Sequence, residues 1–285
     1  MSLIHPYNQA HLWLVSAGPG DPDLLTLKAV KALQQADVIL HDSLVHQDVL
    51  LHAKAHCQVV CVGKRAGKES TPQEGIHELI RDAAMLGRQI VRLKGGDAMM
   101  FGRAGEEMAF AQSLGLSWTY VPGISTGTSL AGLAGIPLTM RGVASSVWMG
   151  TATDRHGRLA PDLMDALASP STCVVFMGRR RIRDIASQLV HVGKEHTPLA
   201  VVSRGSLPAQ RTRIMAASEW LRLPQMPPIE DPALLVIGDV VNHRFDAAKP
   251  ESHPPHLPTK SFTDEYQVPH FPQGRATTNQ RLRRV

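Results

Sequence analysis

The fold of this chain is decided by the stretch Ile90-Val91-Arg92-Leu93-Lys94-Gly95-Gly96-Asp97-Ala98-Met99-Met100-Phe101-Gly102-Arg103-Ala104-Gly105-Glu106-Glu107, in which an apolar strand-like run leads directly into glycines and charged residues. Glycines at such a position let the backbone approach a ligand closely. Asp97 offers an acceptor, and Arg103 offers a fork of donors. A ligand-binding loop and an ordinary strand-to-helix connection both fit this stretch when it is taken alone.

Apolar runs and amphipathic segments alternate on both sides of this stretch. Strands are predicted at residues 12–16, 38–41, 59–62 and 90–93, and helices at residues 23–35, 72–86 and 104–114. Asp21 and Pro22 favour a helix start just before residue 23, and Thr71 with Glu74 has the pattern of a capping box. Such alternation predicts an open, mostly parallel α/β sheet whose ligands lie at the carboxyl ends of the strands.

A second set of strands is predicted at residues 146–149, 172–177, 200–202, 211–216 and 233–237, with helices at residues 161–167 and 182–190. The strands near residues 200 and 213 follow each other closely, which suggests antiparallel pairing. The expected boundary is residues 117–123, so that residues 1–120 form an N-terminal and residues 121–244 a C-terminal α/β domain. Residues 245–285 are rich in proline and poor in aliphatic side chains, and we expect this tail to be disordered.

The composition limits the classes of protein to consider. The chain has 285 residues, 43% of them hydrophobic, with no signal-peptide pattern and no apolar run of bilayer-spanning length. Three cysteines fit reduced thiols, and we expect a cytoplasmic location. The formal charge of +5 raises nucleic-acid binding as a hypothesis, but the basic run at 179–183 is short. A substrate with several carboxylates would require the same positive charge, so we expect no nucleic-acid partner. Because no apolar run has bilayer-spanning length, we also expect no membrane partner.

Further short motifs follow one another along the chain. They are Ser16-Ala17-Gly18-Pro19-Gly20-Asp21-Pro22, His41-Asp42-Ser43-Leu44-Val45, Val62-Gly63-Lys64-Arg65-Ala66-Gly67, Val121-Pro122-Gly123-Ile124-Ser125-Thr126, Gly135-Ile136-Pro137-Leu138-Thr139-Met140-Arg141-Gly142 and Phe176-Met177-Gly178. In this order, and together with residues 93–107, they resemble the tetrapyrrole methylase family over roughly residues 12–241. The resemblance implies two αβα domains with an active-site cleft between them, usually in a homodimer.

The resemblance also implies an activity. It is the transfer of methyl groups from S-adenosylmethionine to carbon atoms of uroporphyrinogen III, giving precorrin-1 and precorrin-2 for sirohaem, cobalamin or a related tetrapyrrole. Another precorrin methylase, a methylase of the same fold acting on RNA or protein, and a binding protein without activity remain open alternatives. No metal is expected, because His46, His52 and His56 lack a ligand pattern and in-line methyl transfer needs none.

A dinucleotide site is a competing interpretation of Gly18-Pro19-Gly20, with Asp42 at the end of the next strand. The third glycine of that fingerprint is missing, and Pro19 and Pro22 remove backbone donors that a pyrophosphate would use. The cationic S-adenosylmethionine needs no such donors. The sequence therefore favours a methyltransferase over a dehydrogenase.

The resemblance assigns roles to individual residues. Its methyl-donor contacts correspond to Pro19, Gly95, Gly96, Asp97, Met100, Ser125, Thr126, Met177 and Gly205. It places a proton acceptor at Asp42 and a proton donor at Lys64. Ser125 and Thr126 would open a glycine-rich helix at 125–135 whose amides could hold a carboxylate. Turn capping remains the alternative for the aspartates, a solvated turn for Lys64 and core packing for the methionines.

Arg103 and Arg141 are the arginines that we expect to contact substrate carboxylates, because a guanidinium fork matches a carboxylate in a bidentate way. Arg103 is also a candidate for the proton chemistry. Glu106 lies three residues beyond Arg103 and could orient it, although a surface i,i+3 ion pair is the simpler interpretation.

Four positions depart from the family pattern. Ala98 stands where the family loop has proline, and Glu69 where a histidine is typical. Thr151 replaces the histidine of a Thr-Gly-His motif, and Arg204 lies in a loop that usually contains Asn-Gly-Thr. Because these positions surround the expected cleft, they bear on the substrate and the rate more than on the fold.

Overall fold

The structure, a computed structural model, describes residue 7 and residues 9–63 and 71–246. Lys64, Glu69 and residues 247–285 lie outside the described residues, as do the expectations attached to them. The predicted disorder of the tail is therefore a statement about residues that are not described, apart from 245 and 246. Phe245 itself is bonded to the rest of the fold, since its N–H donates to the Gly135 carbonyl at 2.8 Å.

The first sheet consists entirely of parallel strands. These are β1 (His11–Ser16), β2 (Val38–His41), β3 (Gln58–Cys61), β4 (Gln89–Lys94) and β5 (Ser117–Val121). Their order in the sheet is β3-β2-β4-β1-β5. The accompanying helices are α1 (Leu27–Gln35), α2 (Gln47–Leu50), α3 (Gln73–Met85) and α4 (Ala104–Ser113). The apolar runs of the sequence follow from this arrangement, because a parallel sheet is covered on both faces.

Both faces of this sheet are buried under helices. On one face, Val15 and Val91 pack with Leu33 of α1. On the other face, Leu14 and Ile90 pack with side chains of α3 such as Ile80. Alternate residues of a strand point to opposite faces, so one strand such as β4 supplies both cores.

The second sheet mixes parallel and antiparallel strands. These are β6 (Val147–Thr151), β7 (Thr172–Phe176), β8 (Pro198–Ser203), β9 (Arg211–Ala216) and β10 (Ala233–Ile237). Their order is β6-β7-β10-β8-β9, and β8 pairs with β9 in antiparallel fashion, which confirms the pairing expected near residues 200 and 213. The helices of this half are α5 (Thr126–Leu133), α6 (Pro161–Ala168), α7 (Ile182–His191) and α8 (Ala217–Arg222).

The second sheet is likewise covered on both faces. Val175 and Leu235 pack with Ile185 of α7, whereas Val174 and Val236 face the core that contains α5. The predicted fold class, two αβα units with an α/β sheet in each, is thereby confirmed. The exact division into residues 1–120 and 121–244 stays a prediction. Among the described residues, no helix has the length and apolar character needed to cross a membrane.

Two details of the predicted elements were wrong. Asp21 caps only a 3-10 turn, Pro22–Leu24, and α1 starts at Leu27 because Thr26 Oγ1 accepts the Ala29 N–H at 3.1 Å. The capping box of Thr71 and Glu74 is not formed. The N-cap of α3 is Pro72, and the Thr71 N–H is already bonded to the Val62 carbonyl at 3.2 Å. The expected boundary segment, residues 117–123, is largely β5, the edge strand of the first sheet.

Candidate functional site

A cavity of about 470 Å³ lies where the carboxyl ends of β1, β2 and β4 face the second sheet. All of the predicted donor contacts line it, namely Pro19, Gly95, Gly96, Asp97, Met100, Ser125, Thr126, Met177 and Gly205. Asp42, which follows β2, lines the same cavity. Residues that are far apart in the sequence are thus brought together at the sheet edge where the fold class places ligands.

Backbone hydrogen bonds fix the glycine loop against the first loop of the chain. The Gly96 N–H donates to the Gly18 carbonyl at 2.7 Å, and the Gly18 N–H donates to the Gly96 carbonyl at 3.1 Å. Gly96 has a φ of +66°, and a Cβ there would lie 3.0 Å from Thr126 Oγ1. Glycine is required at this position both by its φ and by the closeness of α5.

Asp97 anchors the loop to the segment that leads into α5. Its carboxylate accepts a hydrogen bond from Tyr120 Oη at 2.7 Å, from the Gly123 N–H at 3.0 Å and from the Met99 N–H at 2.9 Å. Burial, followed by the hydrogen bond to Asp97, raises the pKa of Tyr120 to about 12. Asp97 therefore holds the loop in place, as the turn-capping alternative for this residue expects. It also lines the cavity.

Unusual backbone conformations surround the cavity. The described non-glycine residues with positive φ are Phe101, Arg103, Met177, Arg204 and Ser206. Phe101 and Met177 line the cavity, and the last two flank its lining residue Gly205. Such conformations cost on the order of 1–3 kcal/mol each and concentrate at functional sites.

The walls of the cavity are largely apolar. Phe101, after β4, and Phe176, at the end of β7, bring their ring centroids to within 4.9 Å of each other and so connect the two halves. Leu130 of α5 lies against Gly205, where a Cβ would be only 2.4 Å from its Cδ2 atom. Met177 is 66% exposed, which is unusual for a methionine in a core and places its side chain at the opening.

A cluster of four charges lies behind Asp42, and we call Asp42, Arg92, Lys94 and Glu107 the charge cluster. An Arg92 terminal nitrogen (Nη2) donates to Asp42 Oδ1 at 2.5 Å, and Arg92 Nε donates to Glu107 Oε1 at 2.9 Å. Lys94 Nζ donates to both oxygens of Glu107, at 3.0 and 3.1 Å. Glu107 is fully buried, whereas the Asp42 side chain is 30% exposed.

The two cations of the charge cluster respond differently to burial. Burial alone would lower the pKa of the Arg92 guanidinium, but the charges of Asp42 and Glu107 and their hydrogen bonds outweigh it and raise this pKa. The pKa of Lys94 is lowered, first by burial and then by the charge of Arg92, despite the opposing effect of Glu107. Arg92 is therefore the firmly charged member at this end of β4.

The residues predicted to bind substrate lie outside the cavity. Arg103 follows the lining residue Gly102 and pairs with Glu106 on the surface, from Nε to Oε1 at 2.7 Å and from Nη2 to Oε2 at 2.6 Å. That hydrogen bond raises the pKa of Arg103 and lowers that of Glu106. The pair is the i,i+3 surface pair considered above, at the edge of the cavity. Arg141 lines a different surface depression, formed by residues 139–145.

Sequence reasoning missed most of the charge cluster. The signal was present, because Arg92 and Lys94 sit two residues apart in an otherwise apolar buried strand, where charges require partners. Arg179 and Arg180 of the basic run also line the cavity, as do residues 231–234. Arg179 is paired with Asp231 at 2.6 Å. The position of residues 231–234 depends on the pairing of β10 between β7 and β8, which no local motif reveals.

The described departures from the family pattern have structural partners. The Ala98 N–H donates to Ser16 Oγ at 2.9 Å, a hydrogen bond that proline could not make. Thr151 Oγ1 donates to the Thr153 carbonyl at 3.1 Å. Arg204 pairs with Glu230 at 3.0 Å on the surface. Each of these three residues is therefore held by a hydrogen bond or an ion pair.

Comparison with known proteins places the chain among methylases. The family model of tetrapyrrole (corrin/porphyrin) methylases matches residues 11–220. The chain is 45% identical to uroporphyrinogen-III C-methyltransferase of Pseudomonas aeruginosa, over 80% of this chain and 93% of that protein. It is 42% identical to the chloroplastic S-adenosyl-L-methionine-dependent uroporphyrinogen III methyltransferase of Arabidopsis thaliana, over 81% of this chain and 63% of that protein.

A solved structure is similar over the same region. The uroporphyrin-III C-methyltransferase of Thermus thermophilus, complexed with S-adenyl homocysteine, has a TM-score of 0.69 and 37% identity, over 82% of this chain and 94% of that one. The chain spans less than two thirds of the Arabidopsis relative and 49% of a siroheme synthase from Blochmanniella pennsylvanica. Because the family model covers most of the residues and relatives above 40% identity agree with it, the chain belongs to the tetrapyrrole methylase family.

Proposed function

We propose that this chain is an S-adenosylmethionine-dependent C-methyltransferase that converts uroporphyrinogen III through precorrin-1 to precorrin-2. The observation that carries the proposal is the single cavity lined both by every predicted donor contact and by Asp42. Relatives whose names state this activity support it, including a Pseudomonas aeruginosa protein that this chain covers over 93% of its length. The product would serve the synthesis of sirohaem, cobalamin or a related tetrapyrrole.

The cavity suits the methyl donor in size and in chemistry. Its volume of about 470 Å³ lies within the range of roughly 300–1,000 Å³ that is usual for small-ligand sites. Met100, Phe176 and Leu130 give apolar walls for an adenine ring, and Ser125 and Thr126, at the N-terminus of α5, line the cavity where the helix dipole favours a carboxylate. When bound, S-adenosylmethionine supplies a methyl group activated by its sulfonium charge.

The chain's own contribution to the reaction is alignment and proton removal. Methyl transfer to carbon is an in-line displacement, so holding the two partners in one geometry and excluding water lowers the barrier. Asp42 is half-buried, lines the cavity and has one carboxylate oxygen held by Arg92. In the proposed mechanism its other oxygen accepts the proton that the pyrrole ring loses.

The substrate would lie across the opening of the cavity. Arg103 stands at the edge beside Gly102; Glu106 engages its Nε and one terminal nitrogen, and the proposal assigns its other terminal nitrogen (Nη1) to a carboxylate of the macrocycle. Arg141 is assigned to a more distant carboxylate, because it lies in the depression formed by residues 139–145. Lys64 is retained as the proposed proton donor. A homodimer in the cytoplasm, with neither a metal nor a nucleic-acid partner, completes the proposal.

The direct test is methyl transfer by the purified protein. With anaerobic uroporphyrinogen III and labelled S-adenosylmethionine, we expect label in the tetrapyrrole and a product with the absorption of precorrin-2 after oxidation. Parallel reactions with bulk RNA and with cell protein test the alternative methylases. Label in RNA or protein without label in tetrapyrrole would contradict the proposed substrate.

The donor site is tested by filling the glycine loop. A Cβ on Gly95 would lie 3.3 Å from Leu44 Cβ, another lining residue, so we expect Gly95→Leu to occupy donor space and to weaken S-adenosylhomocysteine binding at least about tenfold in calorimetry. Gly105→Leu is the matched control, because a Cβ there meets nothing within 4 Å and the residue lies outside the cavity. Equal affinities of the two folded variants would remove the loop from the donor site.

The proton acceptor is tested by Asp42→Asn, which keeps the shape of the side chain and removes its basicity. We expect the transfer rate to fall by on the order of 10² to 10⁴, the usual range for a positioned acid or base. Affinity for S-adenosylhomocysteine should change little. Asp48→Asn, at an exposed carboxylate of α2, serves as the control and should keep the wild-type rate. A near-normal rate in Asp42→Asn would leave Arg103 and Lys64 as the candidates for the proton chemistry.

A further inference from the structure

The charge cluster is a costly arrangement that the proposed reaction does not yet explain. Two cations and two carboxylates stand together, with Glu107 fully buried and the Arg92 side chain only 3% exposed. Replacing buried ion clusters by well-packed apolar side chains is often neutral or stabilising. Stability alone is thus a weak reason for charges in the middle of β4, and their bond to Asp42, which lines the cavity, points to a role there.

The guanidinium of Arg92 is held in one orientation by groups on three elements. One terminal nitrogen (Nη1) donates to the carbonyls of Leu40 on β2, at 3.2 Å, and Leu93 on β4, at 3.1 Å. Its Nε donates to Glu107 of α4 at 2.9 Å. With these donors committed, the remaining terminal nitrogen is aimed at Asp42. The rigid fork of an arginine makes such a fixed direction possible.

Glu107 is the fixed point of this arrangement. Both of its oxygens are bonded by Lys94, which neutralises the carboxylate and keeps it from rotating. Its position in the first turn of α4 adds the favourable interaction of a carboxylate with a helix N-terminus. The carboxylate of Glu107 is therefore held in place, as the anchor that Arg92 requires.

The bond from Arg92 is made to one oxygen of Asp42 only. Within the described part of the chain, Asp42 Oδ2 receives no hydrogen bond, and the residue lines the cavity. One oxygen is thus fixed by Arg92, and the other is the one that the proposed mechanism assigns to the substrate.

We propose that Arg92, clamped by Glu107, is a positioning residue that fixes the Asp42 carboxylate and directs its second oxygen toward the substrate. The inference rests on the proposed function, in which Asp42 accepts the proton. A nearby cation favours the charged form of a carboxylate, and this electrostatic contribution is lost when Arg92 is replaced by a neutral residue. The fixed direction contributes separately, through alignment.

Other titratable groups face the charge cluster from neighbouring elements. His41 of β2 is buried, and its Nδ1 lies 2.9 Å from the Asp42 carbonyl. From α3, Gln73 Nε2 lies 3.5 Å from Glu107 Oε1 and 3.3 Å from His77 Nε2. Because these histidines lie near the charge cluster, a change in pH dependence has to be assigned to Asp42 by comparison of variants.

The experiment compares the pH dependence of methyl transfer in the wild type, Arg92→Met and Arg92→Lys. In Arg92→Met the cation is lost, and the acid limb of the rate should move to higher pH by about 1 unit or more. The plateau rate should fall on the order of 10- to 100-fold, because the carboxylate is no longer aligned. Arg92→Lys keeps the cation without the fork, so its plateau should fall while its acid limb stays near that of the wild type.

Controls separate positioning from folding and from the proposed function. Circular dichroism and S-adenosylhomocysteine affinity should be near wild type in the variants, and Arg88→Met, at an arginine bonded instead to Gln58, should leave rate and acid limb unchanged. If Arg92→Met does not fold, the lowered plateau of Arg92→Lys carries the test. In the Asp42→Asn background, Arg92→Lys should cause little further loss of rate.

A carbon-13 titration gives a readout that does not depend on activity. In protein labelled at aspartate carboxyls, with the signal assigned by Asp42→Asn, the midpoint of the Asp42 resonance should lie at higher pH in Arg92→Met than in the wild type. An unchanged midpoint, or a wild-type plateau in Arg92→Lys, would overturn the inference. A wild type that transfers no methyl to uroporphyrinogen III while the midpoint shifts as expected would overturn only the proposed function.

Discussion

The pair of backbone hydrogen bonds between Gly18 and Gly96 is the constraint on which the rest of the site depends. It extends the pairing of β1 with β4 beyond the strands and brings two loops together at their carboxyl ends. Asp97 then fastens the second loop to Gly123, and through it to the start of α5. These connections restrict the donor contacts in the glycine loop and at the start of α5.

β4, the strand that leads into the glycine loop, also positions part of the charge cluster. β4 carries apolar side chains to both cores of the first sheet, yet Arg92 and Lys94 interrupt its carboxyl-terminal half with buried charges. Both are paired with Glu107, from the helix that follows the glycine loop, and Arg92 is also paired with Asp42. One short stretch of sequence therefore supplies both the donor loop and the electrostatic support of Asp42.

Much of the fold and part of the site could be predicted from local sequence. The α/β alternation followed from hydrophobic periodicity. The donor contacts followed from the ordered motifs of the family resemblance, and the structure brings those contacts into one cavity. The predictions that failed concerned groups with competing hydrogen-bond partners or residues far apart in the sequence. Thr26 and not Asp21 caps α1, and the Thr71 N–H donates to the Val62 carbonyl and so is not available for a capping box. The contact of Phe101 with Phe176 and the bond from Arg92 to Asp42 join residues about 75 and 50 positions apart, and no local pattern specifies such pairs.

The central claim is that one cavity holds the methyl donor and that the second oxygen of Asp42 faces the substrate beside it. A crystal structure of the full chain with S-adenosylhomocysteine tests this most directly. The account predicts the ligand between the loop at residues 95–97 and the N-terminus of α5, with the Arg92–Asp42 bond intact and Asp42 Oδ2 facing the sulfur side of the ligand. A ligand bound elsewhere, or an Asp42 carboxylate turned away from it in the complex, would contradict the account.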